Sequence, residues 1–244
     1  MSIETKYGKY ITDNDWGCKH FEVEHDSQAE NVKLCFIEIS DIHKIASALT
    51  MQVQDTSWMM EIDKSTRRSY NKTVEETAKK LVKVFKIASG TGGVAGEFGE
   101  SMVSMGSARA LEILFNHIVL PVAELWKPQA KQNEGFDFHT VCSEEVINFG
   151  EAKFVSSGNS HGNAISQSAG FIDKEKHFRD RVHLINLVSK NTINNLDDDD
   201  FGVIAAFSIN SDNPLDIFKN ALESAQKTYP SRNVKFVYLV GVKH

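Results

Sequence analysis

The chain has 244 residues, 41% of them hydrophobic and 25% charged, the balance of a soluble globular protein and not of a disordered or fibrous one. A net charge of −6 argues against nucleic-acid binding by the surface as a whole. There is no apolar run of about 18 residues, so no membrane span is expected. The polar opening, residues 1–6, lacks the apolar core of a signal peptide. Three cysteines (Cys18, Cys35, Cys142) are an odd number without metal-type spacing, which points to a reduced, cytoplasmic protein.

In chain order, Val32, Leu34 and Phe36 alternate through residues 32–39 as a strand does. A short helix is expected over 41–51 and another strand over 58–62. A helix over 74–88 follows, opened by Thr73 and Glu76 as a capping box, with Val74, Ala78, Leu81, Val82, Phe85 and Ala88 on its apolar stripe. Eight basic residues stand between Lys64 and Lys86, against Glu75 and Glu76 only. Lys72, Lys79, Lys83 and Lys86 share an outward face, either a solvated surface or a contact for a phosphate backbone or acidic partner. Gly90, Gly92 and Gly93 end that helix and divide the chain into an N-terminal α+β region, 1–89, and a core, 90–244. No Gly-Lys-Ser/Thr follows them, so this is not a phosphate-cradling loop.

From 96 to 118 the spacing is again helical, with Glu97 and Glu100 three apart on a similar side and Pro121 as the stop. Leu125, Trp126, Lys127 and Pro128 lead into a hairpin whose two strands cover 135–139 and 146–154. On the second strand Glu151 and Lys153 point the same way and Ala152 points into the core. The turn through Ser143, Glu144 and Glu145 brings Asp137 towards Glu151, with Lys153 beside both. Two carboxylates suit a hard cation such as Mg²⁺, which takes oxygen ligands and retains waters for a phosphate-bearing substrate. His139 and His161 flank the group and read as surface or phosphate contacts, outside the metal shell. A second helix starts near Asn163 and carries Gln167 and Phe171, four apart on one face. Asp197 to Asp200 lack the alternating ligands and glycine of a calcium loop and read as a solvated loop. An apolar strand over 201–209 is expected to be covered on both faces. Asn213 and Pro214 then open a helix, and a last strand covers 234–242.

The order of a helical Glu100 (or Glu97), Asp137 at the start of a strand, Glu151-Ala152-Lys153 on the next, and Gln167 and Phe171 on a following helix resembles the PD-(D/E)XK nuclease superfamily. Residues 96–100, 135–139 and 149–154 are most similar to the HamA family of nuclease subunits in Hachiman anti-phage defence. Phe136 stands where a proline often precedes the aspartate. The resemblance implies an α/β fold, a restriction-endonuclease-like mixed sheet flanked by helices, with the first 89 residues as an elaboration. It implies an Mg²⁺-dependent endodeoxyribonuclease, with Mn²⁺ an acceptable substitute, acting on DNA beside a helicase partner. In that chemistry Asp137, Glu151 and the Ala152 carbonyl hold the ion and Lys153 orients water and phosphate. Glu100 or Glu97 places a second ion or a metal-bound water, and Gln167 holds Lys153 or a phosphate oxygen. The alternative is a nuclease-fold subunit that no longer cuts and serves as a nucleic-acid- or partner-binding regulatory module.

Overall fold

The computed structural model describes residues 7–25, 31–127 and 135–244; residues 1–6 and Pro128 lie outside them. Eight strands form one mixed sheet: β1 (Tyr10–Asp13), β2 (Cys18–Val23), β3 (Val32–Ile39), β4 (Ile118–Val119), β5 (Phe138–Val141), β6 (Ile147–Lys153), β7 (Phe201–Ser208) and β8 (Phe236–Lys243). Their order is β1-β2-β3-β8-β7-β6-β5-β4. The middle four, β3, β8, β7 and β6, run parallel, and antiparallel strands extend the sheet at both edges.

Alternation along the central strands builds a core on each face. On β7, Phe201, Val203, Ala205 and Phe207 enter one core while Ile204 and Ala206 enter the other. The first core is capped by α5 (Ser160–Asp173), α6 (Lys176–Leu184), α7 (Lys190–Asp197) and α8 (Pro214–Thr228). The second lies under α1 (Ile42–Gln54), the C-terminal part of α2 (Lys64–Thr91) from Leu81 on, and α3 (Gly96–Phe115). The result is an α/β architecture with helices on both faces of a mixed sheet. No described helix is long and apolar enough to cross a membrane. Residues on either side of Gly90 share the sheet, because β3 pairs along its length with β8, and they share both cores. The described residues before Gly90 therefore supply three of the eight strands, among them the central β3.

Several local expectations are corrected. The strand over 58–62 is instead a 3-10 turn at Ser57–Met59 followed by a loop. α2 begins ten residues before the expected start at Val74, where Asp63 accepts from the amides of Ser65 and Thr66; Thr73 lies inside the helix and caps nothing. Capping strength is local, and the apolar stripe continues upstream through Tyr70. α3 ends at Phe115, well before Pro121, because Asn116 turns left-handed at φ 56°. Asn213 makes no capping bond to α8 and instead donates to Asp216 at 2.6 Å. Asp197 closes α7 and pairs with Arg181, and Asp200 pairs with Lys235 at 3.0 Å. The β1–β2 hairpin, β4, the short helix α4 (Ala123–Trp126), α6 and α7 had no predicted counterpart.

Candidate active site

The β5–β6 hairpin places the acids. Phe138 stands opposite Gly150, and its ring lies where a β-carbon would be, so only glycine lets the two strands pack here. Just before β5 the ladder changes character. The Asp137 amide donates to Gly150 O at 2.8 Å, and the Asp137 carboxylate, through Oδ2, accepts the amide of Ala152 at 2.8 Å. Its side chain is thereby fixed beside the Glu151–Ala152 backbone. Pleat alternation carries Phe149 and Glu151 to one face of β6 and Ala152 into the opposite core, as the sequence led us to expect.

Glu151 is 1% exposed. Lys153 Nζ lies 2.7 Å from its Oε1, yet neither oxygen of the carboxylate receives an aligned hydrogen bond. Burial pushes Glu151 well above the usual carboxylate range, the charge of Asp137 pushes it further, and Lys153 offsets only part. Burial likewise raises Asp137, to about 6, against the pull of the Ala152 amide and Lys153. Burial disfavours the charge on Lys153, but Glu151 and Asp137 outweigh it and hold the ammonium above its ordinary value. Asp137 has the Ala152 amide and Glu151 only the unaligned Lys153, so the desolvated Glu151 carboxylate is the one short of donors.

α3 comes close to this hairpin at Gly99, where a β-carbon would strike the ring of Phe154, the residue after Lys153. Glu100 is exposed next to that contact, and its charge acts on Asp137 and Lys153. Glu97 pairs with Lys80 at 2.6 Å and its charge acts on Glu124, whereas that of Glu100 acts on Asp137 and Lys153. Glu124, half-buried on α4, also belongs to it: burial raises its carboxyl and the charge of Asp137 adds to the effect. α4 is a single turn with no periodicity to read, and that hid Glu124 in the sequence.

The expected partners on α5 fare differently. Gln167 is half-buried and makes no hydrogen bond to Lys153 among the described residues. Phe171 is a packing residue, edge-on to Phe136 at 5.4 Å between ring centres, and so props the segment entering Asp137. His139 overturns its surface reading. It is fully buried, its Nε2 lies 3.0 Å from Asp180 Oδ2, and its ring meets Phe149 edge-on. His161 is half-buried against Phe207. Behind Asp137 sits a network that only the fold assembles: Lys127 Nζ donates to Asp180 Oδ2 at 2.6 Å and to the Phe136 carbonyl at 2.7 Å.

Asp137, Glu151 and the Ala152 carbonyl match the oxygen donors that Mg²⁺ or Mn²⁺ accepts, and the donor-poor carboxylate of Glu151 gives such an ion a reason to bind. Among the described residues no three acids here bring oxygens within 4.8 Å of one another, so an ion held by these donors would complete its shell with waters. Compared with protein-family models, curated proteins and solved structures, the chain matches none.

Proposed function

We propose that this protein is a divalent-metal-dependent DNA nuclease with a restriction-endonuclease-like core, the effector subunit of an anti-phage defence system that works with a helicase partner. The observation that carries the reading is Glu151, a carboxylate 1% exposed without an aligned donor, beside Asp137 and Lys153 on neighbouring strands. A structural role would call for such a charge to be satisfied or absent.

When bound, Mg²⁺ supplies charge neutralisation at the phosphate and a water of lowered pKa. The chain does the rest. The Ala152 amide holds one oxygen of Asp137 and leaves the other to act as a ligand. Glu151 keeps Lys153 protonated, so its ammonium, 22% exposed, engages a phosphate oxygen and orients the attacking water. Glu100, exposed and close enough for its charge to act on Asp137 and Lys153, would position a water of the ion's shell.

The test is nicking of supercoiled plasmid with Mg²⁺ or Mn²⁺, against EDTA and against Glu151→Ala and Lys153→Ala. Cutting lost in EDTA and in both variants supports the enzyme, and equal cutting by the variants marks a contaminant. Failure to cut with either ion, alone or with a helicase partner, overturns the reading in favour of a binding module.

A further inference from the structure

Near the opposite edge of the sheet, the β1–β2 hairpin gathers ligand-type side chains that the nuclease chemistry does not use. Asp13 and Cys18 are paired across the hairpin and His20 follows two residues on, so the pleat puts all three on one face. All three are buried. His20 Nε2 lies 3.4 Å from Cys18 Sγ and 3.6 Å from Asp13 Oδ2, and one ligand atom from each residue lies within 4.8 Å of the other two. Thiol and carboxylate converge on the same ring nitrogen. A nucleophilic relay requires them on opposite nitrogens, which excludes that arrangement.

The two separations from His20 Nε2, 3.4 and 3.6 Å, are near those between ligands of a tetrahedral ion. Zn²⁺ bonded at ~2.0–2.3 Å to nitrogen, oxygen and sulfur sets its ligand atoms about 3.3–3.6 Å apart. Sulfur with imidazole selects Zn²⁺ over Mg²⁺ or Ca²⁺. The carboxylate is already aimed: Asp13 Oδ1 accepts from the Trp16 amide at 3.2 Å and Oδ2 from Arg109 Nε at 2.8 Å. Arg109 is itself balanced by Glu112 at 2.8 Å, so the charges of Asp13 and a Cys18 thiolate are left to offset the two of the ion. Cysteine-pair spacing could not reveal this set, because its ligands meet across a hairpin.

We propose that Asp13, Cys18 and His20 form a zinc site that fastens the β1–β2 hairpin, with Arg109 of α3 supporting the carboxylate and water in the fourth position. The test uses the full chain stripped of metal, with Co²⁺ supplied to folded protein and during refolding. One equivalent is expected to bind with sulfur-to-cobalt charge-transfer absorption, and Zn²⁺ to raise the melting temperature. Cys18→Ser, Asp13→Asn and His20→Ala are expected to weaken Zn²⁺ binding at least ~100-fold, the upper range for loss of a mere supporting group. Glu151→Ala retains the absorption, which separates this site from the nuclease reading. Wild-type protein without the charge-transfer band under either loading overturns the proposal without reference to any variant. So does a band that survives in Cys18→Ser, since it would arise from Cys35 or Cys142.

Discussion

Two buried carboxylates near the β5–β6 hairpin are treated in opposite ways. Asp180 receives Lys127 at 2.6 Å and has His139 at 3.0 Å; burial raises it, but those two partners win and hold it below the usual range. Glu151, equally withdrawn from water, has one lysine nearby and no aligned donor, and it is raised. The difference separates structure from chemistry. The first network ties α6 to the segment leading into β5 and gives the Asp180 carboxylate two partners, while His139 Nδ1 is left without one. The second leaves a buried carboxylate with one unaligned lysine, the feature on which the proposed cation site rests.

The largest test of this contrast is Glu151→Gln. Plasmid nicking with Mg²⁺ is expected to fall at least ~10³-fold, as when a principal stabiliser of transition-state charge is removed. The same variant, metal-free, is expected to melt about 2–4 °C higher, because a buried charge is gone. A lower melting temperature would make Glu151 a structural residue and collapse the contrast. Asp180→Ala should do the reverse, leaving Lys127 buried and unpaired and costing about 3–5 kcal/mol in urea unfolding. If that loss is under ~1 kcal/mol, the Lys127–Asp180–His139 network is not the anchor described here.

A pH series sharpens the comparison further. Asp137 titrates near 6 when folded and near 3.8 when unfolded, so the folded state binds the extra proton. Its contribution to metal-free stability is therefore greatest below the unfolded value and declines as pH rises from about 4 to 6. Metal competes with that proton, and Mn²⁺ affinity by calorimetry is expected to drop about tenfold from pH 7 to pH 5. Affinity flat across that window would mean Asp137 is not a ligand. The smallest effects separate two helical acids. Glu97→Gln breaks only a surface pair with Lys80 and should change stability by less than ~1 kcal/mol and leave nicking intact. Glu100→Gln should slow nicking by about tenfold or more. The opposite ranking would reverse their assignment.

How much of this was legible beforehand varies by element. The strands at 32–39, 147–153, 201–208 and 236–243 announce themselves, because burial on one or both faces leaves alternating or unbroken apolar runs. The β1–β2 hairpin does not, since β1 at the sheet edge keeps Ile11 and Thr12 exposed and buries Asp13. Asp137, Glu151 and Lys153 were readable as a local pattern. Glu124, Lys127 and Asp180 were not, because each acquires its role from a neighbour far along the chain.

By itself, the sequence determined that Glu151 and Lys153 share one face of a strand, through the two-residue period of the pleat, and that Asp137 stands at the entrance to the neighbouring one. Tertiary structure alone decided which charges would be satisfied. Asp180 meets Lys127 and His139 only after α6 folds onto the hairpin, and Glu97 meets Lys80 only where α2 and α3 come together. Periodicity fixes the face a side chain takes, whereas its electrostatic surroundings depend on contacts between residues distant in the chain.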